Sequence, residues 1–438
     1  MIGNAVGFVL QSLRTQKLSQ DIAYSIGSFV ILAISGIVIN IVVIASRDAA
    51  ALGIFNIAYA VYIIASQLAV WGFHYSVLRH SAYYAGDSEV RGNMLFTAIL
   101  CSIFMGVIAA SLVFYGQPVF ESVFDSVPTG IAIRNAAIGL VLFPLNKVLI
   151  AYLNGLRHMK AYAVLQAIRY LSVMFLVTAF VLTDLPIETA TYCFIVAESI
   201  TSILAAIYIW RLRLAGPMRV SFVWVWRHFK FGTKGLPAGM FAEVNSRADV
   251  LLIGALLGER ETGIYSFAAM LADGLYHVLA MVRINFNPLL VAAVRDKEWG
   301  VARSLRVKSF KYVLPVTVLL SMLLIVAYYV FSVWIMGPEK ELIEGLPSLI
   351  ILLIALTMIC VFVPFDNLLM VSGYPGFQTA QQLVLVGSNI IVALALLPIL
   401  GIEGAAIGTG ISYLAGITMM ILFARKLLGW NVLTNTVH

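Results

Sequence analysis

The sequence predicts an all-α polytopic membrane protein of twelve transmembrane helices in two parallel six-helix bundles. Three observations predict it. Of the 438 residues 61% are hydrophobic and only 11% charged, against about 25% charged in soluble domains, so no water-facing shell can be made from this chain. Twelve apolar runs each approach the roughly 20 residues an α-helix needs to cross a hydrocarbon core. Lys and Arg collect in alternate loops, as the positive-inside rule requires.

Taken in order, residues 1–20 mix apolar side chains with Gln11, Arg14, Gln16 and Lys17. The charges follow the apolar part instead of preceding it, which argues against a signal peptide and for an amphipathic helix lying on the membrane surface. Spans are predicted over 24–45, 54–73, 95–115, 131–153, 162–182 and 187–210, which make a first lobe of residues 21–210. A basic linker, 211–234, is followed by spans over 236–257, 264–282, 312–335, 346–371, 380–400 and 405–424, a second lobe of residues 235–424. The tail is 425–438. With the N-terminus inside, 21 of the 28 Lys and Arg fall in inside segments, four fall outside, and Lys147, Arg169 and Arg247 lie within helices. Both termini and the linker are therefore expected on the cytoplasmic side of the membrane. The net charge of +7 follows from that bias and calls for no nucleic-acid partner, while the linker suits anionic lipid heads.

Residues 236–257 stand out because Glu243, Asn245, Arg247 and Asp249 crowd into one apolar helix. A charge at mid-membrane costs about 2.5–3.5 kcal/mol on insertion scales, so such groups face protein or water. Glu243 and Arg247 share one face, and Asn245 and Asp249 a nearly opposite one. Glu243 and Arg247 either form an intrahelical ion pair or line a cavity. Gly235, Pro237 and Gly239 loosen the start of this helix, a habit of transporter helices beside a binding site. Cys101, Cys193 and Cys360 lie far apart in apolar runs, and the histidines lack ligand spacing, so no metal site and no cofactor are expected.

The two halves echo each other. Leu52-Gly53-Ile54-Phe55 opens the second span and Thr262-Gly263-Ile264-Tyr265 the eighth; Pro144-Leu145-Asn146-Lys147 in the fourth answers Pro364-Phe365-Asp366-Asn367 in the tenth. Six helices per half make the repeats parallel, an arrangement with a substrate site between them in known transporters.

With Asn154-Gly155-Leu156-Arg157 and the run from Gly401 to Thr409 added, these motifs resemble the polysaccharide flippases of the multidrug/oligosaccharidyl-lipid/polysaccharide (MOP) exporter superfamily, above all the O-antigen, or Wzx-type, flippases. The resemblance implies a V-shaped, two-lobed transporter working by alternating access. It implies an undecaprenyl-diphosphate-linked oligosaccharide as substrate, bacterial inner-membrane lipids as surroundings, and polysaccharide polymerase and chain-length proteins as partners. Such a substrate needs cations in a cavity. Arg247 is the first candidate, because a guanidinium grips phosphate with two bonds. Lys147 and Arg169 follow, each alternatively snorkelling to the interface, with Asn245 and Asn146 beside them. Tyr152, Tyr162 and Tyr170 read as an interfacial belt.

Buried acids raise the question of coupling to H+, to Na+ or to neither. Glu243, Asp249, Asp273 and Asp366 are the candidates, with Glu198 a further buried acid; Asp273 and His277, one turn apart, are alternatively a satisfied pair. The alternative function is a cation-coupled multidrug or toxin exporter, against which the first span, with Ser28, Ser35 and Asn40 as polar candidates and no acid, argues mildly. A glycan polymerase or ligase is third, disfavoured by short outside loops. No Walker or nucleophile motif appears, so no enzyme activity is expected.

Overall fold

The computed structural model describes residues 24, 27, 28, 30–183, 185–337 and 340–437. The surface helix expected over 1–20 lies outside the described residues. Helices dominate. They are α1 (Val30–Ser46), α2 (Ala49–Val70), α3 (Phe73–Tyr83), α4 (Ser88–Tyr115), α5 (Gln117–Phe124), α6 (Val127–Ala137), α7 (Phe143–Gly155), α8 (Met159–Val181) and α9 (Cys193–Arg211). They continue with α10 (Phe222–Leu256), α11 (Glu259–Arg295), α12 (Trp299–Lys308), α13 (Leu314–Val330), α14 (Leu346–Ile359), α15 (Leu368–Val371), α16 (Pro375–Leu400) and α17 (Ile402–Leu428). Among the described residues nine helices are long and apolar enough to cross a membrane, or ten if the bent pair Val127–Val141 and Phe143–Gly155 is one span. The expected twelve are reached only if α1 and α10 also count. α1 is short over its described part, and the apolar half of α10 carries Glu243, Arg247 and Asp249.

The proline echo has a structural counterpart. The fourth span bends by 42° where the 3-10 turn Ile138–Val141 meets α7, and Pro144 stands in the first turn of α7. In the second half α14 ends at Ile359, a 3-10 turn Val363–Phe365 holds Pro364, and α15 follows. Proline lacks the N–H of the helical ladder and clashes with the preceding turn, so both uninterrupted spans expected here, 131–153 and 346–371, are broken. Elsewhere the ends are capped conventionally: Asp87 accepts from the amide of Val90 at 3.0 Å to start α4, and Ser126 from that of Thr129 at 3.1 Å to start α6.

The chain divides into two compact units. One holds the described part of Met1–Val42, with Val61–Glu121 and Ser126–Gly239; the other holds Val43–Ala60, Ser122–Asp125 and Met240–His438. Within the first unit the linker is docked rather than loose. The Gly216 amide donates to the Ser88 carbonyl (2.9 Å), the Arg219 amide to Asn93 Oδ1 (2.9 Å) and the Ser221 amide to Thr97 Oγ1 (3.1 Å). From Phe222 it is helical and runs without interruption into the seventh span as α10, passing Pro237. Buried Trp224 and His228 hold it down, His228 between the Ser76 hydroxyl (2.9 Å) and the Met94 carbonyl (3.2 Å). Burial without a charge partner lowers the His228 pKa to about 4, so its imidazole is neutral.

Within the second unit the glycine echo is a contact. A Cβ on Gly53 would come within 1.8 Å of the Glu259 carbonyl oxygen, and one on Gly263 within 1.8 Å of the Ala49 carbonyl oxygen. The N-terminal turns of α2 and α11 thus touch backbone to backbone, an approach that only a missing side chain permits. The tail is ordered by a two-stranded hairpin, β1 (Trp430–Asn431) with β2 (Thr436–Val437). Fully buried Trp430 packs on Phe365 and Trp299, and Arg306 Nε donates to the Val432 carbonyl at 3.1 Å.

Candidate functional site

α10 brings the unusual charges of the seventh span into the second unit. The Arg247 guanidinium lies 4.9 Å from the centre of the Tyr59 ring, on α2. Among the described residues it forms no ion pair, and its Nε is buried without a hydrogen-bond partner. The intrahelical pair with Glu243 is therefore not made, and the guanidinium keeps unused donors. An aromatic face attracts a cation without consuming its N–H groups. Asn245 Oδ1 is likewise buried and unpartnered. Asp273, on α11, lies close enough to Arg247 to interact electrostatically, and it makes no bond to His277.

The opposite face of α10 carries Asp249. Its carboxylate accepts from Tyr265 Oη (2.8 Å), Asn389 Nδ2 (3.0 Å) and Thr409 Oγ1, which draws α11, α16 and α17 onto one acid. All three donors are neutral, and among the described residues no Lys or Arg pairs with it. Asn389 Oδ1 is buried and unpartnered, in a residue only 1% exposed. A carboxylate with hydroxyl oxygens around one point suits a proton or a hard cation better than a soft metal.

Asp366 has a different setting. Its carboxylate accepts from Arg283 Nη1 at 3.0 Å and Gln381 Nε2 at 2.8 Å, while Gln378 Nε2 donates to its carbonyl at 3.1 Å. These bonds bind the broken tenth span to α11 and α16.

In the first unit Glu198 gathers two of the predicted residues. Its carboxylate accepts from Arg169 Nε (2.7 Å) and Nη2 (2.6 Å), Asn146 Nδ2 (2.5 Å) and Tyr62 Oη (3.3 Å). The Arg169 guanidinium also lies 5.1 Å from the Phe143 ring centre, with Lys147 Nζ 5.4 Å from the same ring. Glu198 is 1% exposed. Arg169, expected as a cation open to substrate, is thus engaged by a buried acid, and Asn146 serves the same acid from the first turns of α7. Sequence reasoning weighed Glu198 but missed Tyr62, Tyr265, Asn389 and Thr409. Their one signal was a polar atom inside an apolar run.

Residues 18–294 match the family described as polysaccharide biosynthesis protein. No curated protein matches the chain by sequence. Its fold is similar to that of the lipid II flippase MurJ in an inward closed conformation, with 13% identity, a TM-score of 0.74, and coverage of 92% of this chain and 87% of that one. An inward-facing multidrug resistance MATE family transporter of the MOP superfamily aligns at 14% identity and a TM-score of 0.73 over 91% and 94%. A MOP superfamily transporter from Pyrococcus furiosus aligns at 15% and 0.62 over 94% and 95%. Matched over more than half of its length, the chain belongs to the polysaccharide biosynthesis protein family and is a multi-pass membrane protein with the fold of the MOP-superfamily transporters.

Proposed function

We propose that this protein is a flippase that carries a polyprenyl-diphosphate-linked oligosaccharide from the cytoplasmic to the outer leaflet of a bacterial inner membrane, for surface polysaccharide synthesis. The observation that carries the reading is Arg247. It is a cation on an apolar helix that, among the described residues, makes no ion pair and has an unpartnered buried donor, seated on Tyr59. That state suits a group awaiting an anion, because a buried guanidinium left unsatisfied is costly unless a ligand completes it. The family match supports a substrate on the path to polysaccharide. Asp249 is the coupling acid in this reading, exchanging H+ or Na+ beside the Thr409 hydroxyl and the Asn389 amide.

The test is surface polysaccharide made by cells that lack the native protein and carry variants at equal membrane levels. Arg247→Gln should reduce it at least about thirtyfold, the equivalent of roughly 2 kcal/mol. Arg247→Lys, which keeps the charge but loses the fork, should retain part of it. Normal polysaccharide from Arg247→Gln, or a variant that alters only resistance to cationic drugs, overturns the reading and favours an exporter.

A further inference from the structure

We infer that the segment from Trp210 to Lys234 is a membrane-surface anchor that binds anionic phospholipid headgroups, independently of what the protein transports. Six Lys and Arg and no acid lie between Arg211 and Lys234. The first turns of α10 are two-faced. Trp224 and His228 point into the first unit, whereas Phe222 (86% exposed), Val223 (60%) and Trp226 (69%) are presented outward beside exposed Arg227 and Lys230. Met218 and Val220, also exposed, extend the apolar strip back toward α9.

Charge and position choose the occupant. The segment starts where the span Ile187–Arg211 ends, at exposed Trp210, so it leaves the hydrocarbon at the interface. Aromatic side chains beside Lys and Arg are the composition of helices that lie at headgroup depth. A cytosolic acidic protein would meet the cations but leave the aromatic rings in water; an anionic leaflet takes both. The docking bonds of Gly216, Arg219 and Ser221 hold the face in place before any lipid arrives, so little ordering entropy opposes binding.

The experiment uses the full-length protein in nanodiscs of phosphatidylcholine alone or with phosphatidylglycerol. Val223→Cys carries an environment-sensitive dye; Cys101, Cys193 and Cys360 are buried, and the unlabelled-site background is the protein without the introduced thiol. The expected result is a blue-shifted emission with phosphatidylglycerol that high salt reverses. In Arg227→Gln/Lys230→Gln/Lys234→Gln the affinity for phosphatidylglycerol, counted as lipid retained in native mass spectrometry, should fall about fivefold per cation removed. These side chains are exposed, so an unchanged thermal transition certifies the fold. Water-like emission in both discs, which would leave the face to a cytosolic protein, overturns the inference. An equal shift in both discs, which would mean apolar seating without headgroup recognition, overturns it too.

Discussion

Glu198 in the first unit and Asp249 in the second are both carboxylates held among apolar helices, and they are satisfied in opposite ways. Glu198 is held by the fixed charge of Arg169 with Asn146 and Tyr62 in support. Asp249 is held by Tyr265, Asn389 and Thr409, all neutral. An acid locked to an arginine has no net charge to exchange, and it ties helices together. An acid ringed by neutral donors keeps the freedom to take a proton or a cation. In the proposed function this difference makes Glu198 the structural carboxylate and Asp249 the coupling one. Asp366, paired with Arg283, groups with Glu198 in that reading.

The largest effect that would break this comparison is at Glu198. Glu198→Gln strands the Arg169 guanidinium in a buried site, where losing one partner of an ion pair costs about 3–5 kcal/mol. The expected outcome is a protein that fails to accumulate in the membrane, while Arg169→Met/Glu198→Leu recovers much of the level. Equal amounts of wild type and single variant in a quantitative membrane blot would show that the pair is dispensable.

A smaller effect sharpens the comparison of the two acids of the second unit. Asp249→Asn should accumulate normally and lose the response of transport to an imposed ion gradient, roughly tenfold or more if the acid supplies about 1.4 kcal/mol of coupling. Asp366→Asn should keep the gradient response and lower thermal stability by about 1–2 kcal/mol, because its pair with Arg283 is only partly buried. A gradient response lost at Asp366 and kept at Asp249 would reverse the assignment.

A further effect of similar size concerns the frame of the second unit. Gly53→Ala or Gly263→Ala places a methyl group against a carbonyl oxygen across the α2–α11 contact. Overpacking of this kind costs about 1–3 kcal/mol, read as a lower melting temperature in detergent with transport retained near the growth optimum. An unchanged melting temperature for both would show that the helices separate freely there.

Much of the frame was legible in the chain itself. The apolar runs, the basic loops, the glycine echo and the proline echo all appear in the residues, because insertion into lipid and helix breaking depend on each residue's own chemistry. The prolines even marked the two breaks, although the spans around them were read as continuous. The docked linker was harder to see: nothing in its composition says that Ser88, Asn93 and Thr97 await its amides.

What the sequence by itself determined is thus that apolar helices make up the chain and that Arg247 and Asp249 ride on one of them. What only the tertiary structure decided is the state of each charge. Arg169 meets an acid 29 positions away and Asp249 meets a hydroxyl 160 positions away, while Arg247 makes no pair with Glu243 one turn off. The reason is physical. Hydropathy sums the free energy of single residues against lipid, whereas the fate of a buried charge depends on which groups stand within hydrogen-bonding reach, and that is set by helix packing.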